Sequence, residues 1–430
     1  MELRVTGGAR GLSGTIRVPG DKSITHRALL FGAMADGTTR LSGPMRAGVI
    51  EAMENCLGAL GVEIEGAQES ETLIHGIRWQ TPDRILDCRS SAATMRLLMG
   101  ALAGSQVRAT LAGSARLTAR PMARVADPLR RMGAQISALN GHDRPPLSIV
   151  GSRLRGIDYR VPVPSAQVKA AILAAGLHAD GRTIVHEPAA TRDHTERLLC
   201  ELGVSLTSAN GTLSMEPMSS PLPPFELGIP GDLSAAALPL AAAVLIPGSE
   251  LTIRGVGLNP TRTGLLEVLG EMGAQIEIAR TAAVEIEPSG DLTARYSDLQ
   301  GITIQGGRVV SMIDEFPILA VIATQAHGET RVLDAGELRL KESDRLSSMT
   351  LELRKMGARI EEHASGVTIE GPTPLTGAHV SSRGDHRVAM ALAMAGALAS
   401  GETILSGAEV IQESFPGFAT MLRSIGVQLQ

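Results

Sequence analysis

The chain has 430 residues, more than one ordinary hydrophobic core accommodates, so two domains are expected. Hydrophobic residues make up 43% and charged residues 20%, the balance of a soluble globular protein. A net charge of -5 and only 2% aromatic residues provide neither the basic field nor the stacking platforms that nucleic acid binding needs.

The N-terminal stretch MELRVTGGARGLSG lacks the apolar run of a secretory signal. The first strong element is VPGDKSITHRALL, residues 18–30, in which Lys22, Ser23 and Arg27 follow a turn at Pro19-Gly20. A helix beginning near Ser23 would bring a hydroxyl N-cap, backbone amides and two cations to one spot. That is either an anion site or a capped helix with solvated basic residues. Arg96 follows SSAAT, and Arg120 lies in ARPMARV ahead of another predicted helix.

PSAQVKAAIL, residues 164–173, places Ser165, Gln167 and Lys169 before an apolar run. Ser165 can cap that helix, and Gln167 can donate to a ligand oxygen. TRDHTERLL, residues 191–199, reads mainly as a structural helix start, capped by Thr191 or Asp193 with Glu196 near its third position. PPFELGIPGDLSAAA, residues 223–237, has the Pro and Gly content of a crossover between halves. The apolar stretch near 235–247 is too short to span a bilayer.

In SMIDEFPIL, residues 311–319, Asp314 and Glu315 sit inside apolar sequence, as helix caps or as carboxylates with a chemical task. LRLKESDRL, residues 338–346, concentrates Arg339, Lys341, Glu342, Asp344 and Arg345. It is either a solvated helix start or cations for an anionic ligand beside a carboxylate for proton transfer. In RGDHRVAMALAMAG, residues 383–396, Arg387 opens a helix against its dipole, which favours a bound anion there.

An apolar–Gly–(Val or Ala)–polar–(Ile or Leu) signature recurs at Gly61, Gly133, Gly203, Gly273, Gly357 and Gly426, at spacings of 72, 70, 70, 84 and 69 residues. Each copy reads as a helix end, a glycine C-cap and an immediate strand. Six α/β units of about 70 residues follow, three to each half. The three cysteines suit a reducing compartment, and no histidine or cysteine cluster predicts a metal. GDKS at residues 20–23 lacks the Walker A spacing, and no dinucleotide fingerprint is present.

VPGDKSITHRALL, PSAQVKAAIL, PGDLSAAALPL, NPTRTG, SMIDEFP, LRLKESDRL, GDHRVAMA and ESFPGF occur in this order over essentially the whole length. The chain thereby resembles the 3-phosphoshikimate 1-carboxyvinyltransferase family, also called 5-enolpyruvylshikimate-3-phosphate synthases. The resemblance implies an α/β fold of two similar domains, each with three repeated α/β units, parallel inner helices and outer sheets, in an inside-out barrel. It implies domains at residues 20–229 and at 1–19 with 230–430, with helix N-termini facing an interdomain cleft. The implied reaction joins shikimate 3-phosphate to phosphoenolpyruvate and releases phosphate, on the route to aromatic amino acids. It uses no metal or organic cofactor and is carried out by a cytoplasmic monomer without nucleic acid or membrane partners.

Carried over by position, Lys22, Ser23, Arg27, Ser165, Ala166, Gln167, Asp314 and Lys341 correspond to contacts with shikimate 3-phosphate. Lys22, Ala92, Arg120, Gln167, Arg345 and Arg387 correspond to contacts with phosphoenolpyruvate. Asp314 would accept the proton of the attacking hydroxyl, and Glu342 with Lys22 would relay protons to the methylene carbon and the departing phosphate.

Three segments depart from the family pattern: RAGV at 46–49, RSSAATMR at 89–96 and GSARLTARPM at 113–122. Arg89 and Ala92 stand where the family has glycine, Ser90 where it has asparagine, Ala93 where it has threonine, Ser114 where it has aspartate and Arg116 where it has serine. A divergent active synthase is one reading; a transferase with a UDP-sugar acceptor and a non-catalytic anion-binding paralogue are the others. The loop cysteine common in UDP-sugar relatives is absent near 111–120, and retention of Asp314, Glu342 and Lys341 argues against a non-catalytic protein. The Ala92 methyl is expected to narrow the phosphoenolpyruvate pocket and weaken inhibition by glyphosate.

Overall fold

A computed structural model describes residues 1–67, 69–281 and 286–430. All six repeated glycines have positive φ, from +83° at Gly203 to +105° at Gly133, a region that L side chains enter at a cost. After each one, the next residue donates its N–H to the carbonyl five positions back, for example Val62 to Leu57 at 3.1 Å and Val427 to Leu422 at 3.0 Å. This is a Schellman stop, in which the glycine reverses the chain and the Val or Ala behind it covers the helix end. The helices closed in this way are Gly48–Ala59, Ala123–Arg131, His194–Glu201, Gly264–Glu271, Arg345–Lys355 and Phe418–Ser424.

The sheets repeat as well. Gly37–Ser42 pairs parallel with the short Glu226–Gly228 and antiparallel with Glu71–Gly76, which pairs antiparallel with Glu63–Glu65. Four further sheets have this four-strand order; the sixth has three strands, with residues 428–430 bonded along Glu2–Thr6 in the fourth place. Every sheet among the described residues is open, and none closes into a barrel.

By contacts the chain divides into Gly20–Ile229 and a discontinuous unit of Met1–Pro19 with Pro230–Gln430. The cause is strand pairing. Ser13–Ile16 lies parallel to Glu250–Gly257, and Glu2–Thr6 lies antiparallel to Glu402–Ser406, so the N-terminal segment completes two sheets of the later unit.

Each unit holds three inner helices with burial on nearly every face: Lys22–Met34, Ala92–Ala103 and Ala166–Gly176 in one, Leu233–Leu245, Phe316–Gln325 and His386–Leu398 in the other. Their alanine and glycine content follows from helix packing on all sides. A Cβ on Gly100 would lie 2.3 Å from the Ala171 carbonyl oxygen, which shows how closely Ala92–Ala103 approaches Ala166–Gly176.

Candidate active site

In Gly20–Ile229 the inner-helix N-termini are tied together at one end. The Lys22–Met34 helix is capped by Asp21, whose Oδ1 accepts from the N–H groups of Ser23 at 2.7 Å and Ile24 at 3.0 Å. The expected Ser23 cap is therefore corrected: a carboxylate two residues earlier takes those amides. His26 Nδ1 lies 2.8 Å from the Lys22 carbonyl, which fixes the proton on Nδ1 and leaves Nε2 to accept from Ser91 Oγ at 3.2 Å. Burial, opposed only in part by the Lys22 carbonyl, pushes the His26 pKa down to about 4, so the ring is neutral. Ser91 in turn caps the Ala92–Ala103 helix at Thr94.

Arg96 donates to Gln167 Oε1 at 2.5 Å, joining the second inner helix to the third. A guanidinium has no acceptor, so the oxygen faces Arg96 and the carboxamide NH₂ is left as the donor end. Ser165 caps the Ala166–Gly176 helix through Val168, so capping and proximity to the other N-termini coincide. Arg27, 4% exposed, donates from Nε to Thr195 Oγ1 at 2.6 Å and from Nη1 to the Ser23 carbonyl at 2.9 Å.

Two residues of the 191–199 segment for which no ligand role is expected belong to this cluster. Thr195 holds Arg27, and Arg192 reaches Ser23 Oγ at 3.4 Å. The expected Thr191 or Asp193 cap is corrected too: Asp193 occupies the cap position without a side-chain cap bond and pairs with Arg197 at 2.9 Å. Arg120 lies half-buried in the loop between Ala115–Thr118 and Ala123–Arg131, and Ala92 opens the second inner helix.

The divergent segments have structural partners. Arg46 donates to the carbonyls of Gly66 and Glu69 and to Thr72 Oγ1, fastening the start of Gly48–Ala59 to the neighbouring hairpin. Arg89 adopts φ +47° and pairs with Glu51 at 2.7 Å.

In the other unit, Arg345 is the hub. It is 1% exposed, and each guanidinium nitrogen faces a different carboxylate: Nε to Asp385 at 2.8 Å, Nη1 to Asp314 at 3.0 Å and Nη2 to Glu342 at 2.7 Å. Burial alone would lower its pKa; Asp385, Glu342 and Asp314 more than reverse that, and it is raised. For Asp385, burial works upward and Arg345 works downward, with a net lowering. Asp385 also caps the His386–Leu398 helix, and Arg387 Nη2 lies 3.6 Å from Asp314.

The reading of 338–346 as a solvated helix start is overturned at Arg345, because the three carboxylates make burial of its charge tolerable. Arg345 opens the Arg345–Lys355 helix, which Asp344 caps. Half-buried Lys341 directly follows the turn Gly336–Leu340. Glu315 occupies the cap position of the Phe316–Gln325 helix without a side-chain cap bond. Glu315 is buried instead, with Ser234 Oγ donating to it and Arg262 Nη2 at 3.5 Å; Arg262 also reaches Asp232, the cap of Leu233–Leu245. These pairs bring the three inner-helix N-termini of this unit to one end as well.

Taken singly, Gly20–Ile229 gathers cations at its helix N-termini, which suits anions, and the discontinuous unit sets two half-buried carboxylates on a buried arginine, which suits proton transfer. Among the described residues, no group of three or more His, Cys, Asp or Glu side chains could hold a metal, and no helix is long and apolar enough to cross a membrane.

Residues 6–422 match the family model described as EPSP synthase (3-phosphoshikimate 1-carboxyvinyltransferase). A relative from Desulforamulus reducens named 3-phosphoshikimate 1-carboxyvinyltransferase is 45% identical, with 100% of each chain covered. One of the same name from Synechococcus sp. is 47% identical over 96% of each. The solved structure of EPSP synthase from Acinetobacter baumannii superposes with a TM-score of 0.89 at 37% identity, covering 100% of this chain and 99% of that one.

Proposed function

The chain belongs to the EPSP synthase family, and we propose that it transfers the carboxyvinyl group of phosphoenolpyruvate to the 5-hydroxyl of shikimate 3-phosphate. The observation that carries the assignment of roles is the Arg345 hub, where one buried cation holds Asp314 and Glu342 at 3.0 and 2.7 Å. A phosphate or carboxylate arriving at Arg345 and Arg387 competes for their guanidinium groups. It thereby releases the two carboxylates for proton transfer.

Asp314 takes the proton of the 5-hydroxyl as its oxygen bonds to C2 of phosphoenolpyruvate. The π pair moves to C3 and takes a proton from Glu342, giving a tetrahedral adduct. The C2–O bond to phosphate then breaks, C3 returns a proton to Glu342, and the double bond reforms. Lys22 serves the departing phosphate as a cation and relays to it the proton that Asp314 took, so both carboxyls end the cycle as they began it. This cycle needs a carboxyl that gives a proton and then recovers it, which suits Glu342, half-buried at 30% side-chain exposure.

In the Gly20–Ile229 unit, Lys22, Ser23, Arg27, Ser165, Ala166 and Gln167 recognise shikimate 3-phosphate, and Arg192 joins them through its contact to Ser23. Lys341 is assigned to the same ligand by its family correspondence. Phosphoenolpyruvate is held by Lys22, Ala92, Arg120, Gln167, Arg345 and Arg387. The full-length family match favours this acceptor over a UDP-sugar, and the paired acid and base favour catalysis over simple anion binding. The proposal includes a cytoplasmic monomer, in keeping with three cysteines that are all free thiols.

Phosphate release from phosphoenolpyruvate, with and without shikimate 3-phosphate, tests the reading. Acceptor-dependent release that falls by orders of magnitude in Asp314→Ala supports it. Release that ignores shikimate 3-phosphate, or survives intact in Asp314→Ala, rejects it.

A further inference from the structure

We infer that Thr195 is a positioning residue for Arg27, on a helix anchored by a buried Lys169–Glu187–Glu196 centre. The inference rests on the reading that Arg27 contacts shikimate 3-phosphate, and it adds what sets the direction of that contact.

Lys169, on the inner helix Ala166–Gly176, is 1% exposed. Nζ lies 2.6 Å from Glu196 Oε1 and 2.9 Å from Glu187 Oε2, and it donates to the Thr191 carbonyl at 3.5 Å. Thr191 Oγ1 also donates to Glu187. A dry cluster of this kind is a poor source of net stability, because desolvation offsets the attraction. What it does supply is fixed geometry, since each partner loses heavily if it moves. Burial raises the Glu196 pKa, with Lys169 opposing, as expected for two carboxylates sharing one cation.

The cluster pins the first turn of the outer helix His194–Glu201 against the inner helix. Thr195, with no exposed surface, is the residue beside Glu196 in that turn. Its hydroxyl accepts from Arg27 Nε at 2.6 Å, and the Ser23 carbonyl accepts from Nη1 at 2.9 Å. Two bonds from different directions set the plane of the guanidinium. An arginine oriented in advance loses less side-chain entropy when it meets an anion.

The test is calorimetric titration of the full-length protein with shikimate 3-phosphate, accompanied by thermal unfolding. The variants are Thr195→Val, Thr195→Ser, Arg27→Ala and the Arg27→Ala/Thr195→Val double. Valine keeps the shape and removes the hydroxyl; serine restores the hydroxyl. Thr195→Val is expected to weaken binding about tenfold, Thr195→Ser by no more than about twofold, and the double no further than Arg27→Ala alone. The KM for phosphoenolpyruvate is expected to stay unchanged in Thr195→Val. If Arg27→Ala weakens binding and Thr195→Val does not, the positioning role is overturned while the reading of Arg27 stands. An undiminished effect of Thr195→Val on the Arg27→Ala background marks a packing defect and overturns it too. If Arg27→Ala binds like the parent, the reading of Arg27 fails and the inference falls with it.

Discussion

Ser90 Oγ and Ser114 Oγ lie 3.2 Å apart, so two of the segments in which this chain departs from its family touch each other. The Ser114 N–H also donates to the Arg89 carbonyl at 2.8 Å. The family resemblance places asparagine and aspartate at these two positions, and both are serine here. Residues that pair in this way are expected to couple. Ser114→Asp alone should lower kcat/KM for phosphoenolpyruvate more than Ser114→Asp with Ser90→Asn, with an interaction energy of about 1 kcal/mol in a double-mutant cycle. Additive losses would mean that the two changes arose independently.

Arg89 fills a family glycine position yet keeps the left-handed backbone, at φ +47°. That conformation costs a non-glycine residue about 1 kcal/mol. Its ion pair with Glu51 is half-exposed and contributes about 1 kcal/mol at most. Both Arg89→Ala and Arg89→Gly lose the pair, but only glycine relieves the backbone. Arg89→Gly should therefore be the more stable of the two in urea unfolding, the reverse of the order seen in a helix or strand.

How far the sequence discloses the fold and the site follows from the range of each interaction. The six glycine stops are local, since each needs only a helix end, a positive φ and an apolar follower, and they are legible as a period near 70 residues. Asp314 is legible as a charge embedded in apolar sequence, Glu342 and Arg345 as members of a charge cluster, and Arg387 as a cation opening an apolar helix. The cap of the first helix is not, because Asp21 and Ser23 compete as acceptors within two residues and only the backbone path decides. Thr195, Arg192 and the pairing of Arg262 with Glu315 are not legible either. Their partners lie 168, 169 and 53 positions away, and no periodicity marks a contact made by packing repeats together.

Ala92 is 6% exposed and is the first residue of the Ala92–Ala103 helix, so its methyl group occupies space beside that N-terminus. If phosphoenolpyruvate binds there, the longer glyphosate is disfavoured by the same methyl. Glyphosate is expected to inhibit only at concentrations well above the KM for phosphoenolpyruvate, and Ala92→Gly should lower its inhibition constant. Strong inhibition of the parent protein contradicts the placement.

His26 predicts a pH dependence of stability. Its pKa falls from 6.5 in the unfolded chain to about 4 in the fold, where burial disfavours the charged ring. Between these values the unfolded chain binds the extra proton, so the neutral ring's contribution is complete above pH 6.5 and is lost as pH falls towards 4. The loss is about 1.4 kcal/mol per pH unit, or about 3 kcal/mol in all. In His26→Asn, urea unfolding from pH 7 to pH 5 should show a shallower decline by about that slope. An identical decline in parent and variant assigns the acid sensitivity to other groups.

Arg345 gives the sharpest contrast between charge and shape. Its three nitrogens meet three carboxylates on separate segments, at residues 314, 342 and 385, and a lysine ammonium is one compact point that cannot span them. Arg345→Lys keeps the charge but leaves buried carboxylates facing each other, and Asp385 has no exposed surface at all. Breaking a buried pair costs about 3–5 kcal/mol, so a clear fall in thermal midpoint is expected together with a loss of about 100-fold or more in kcat/KM. Arg387 is the control: it is 8% exposed, and its guanidinium lies 3.6 Å from Asp314. Arg387→Lys should raise the KM for phosphoenolpyruvate with a much smaller change in midpoint. If Arg345→Lys unfolds at the parent temperature, Arg345 does not hold Asp314, Glu342 and Asp385 together, and the acid–base assignment built on that hub has to be revised.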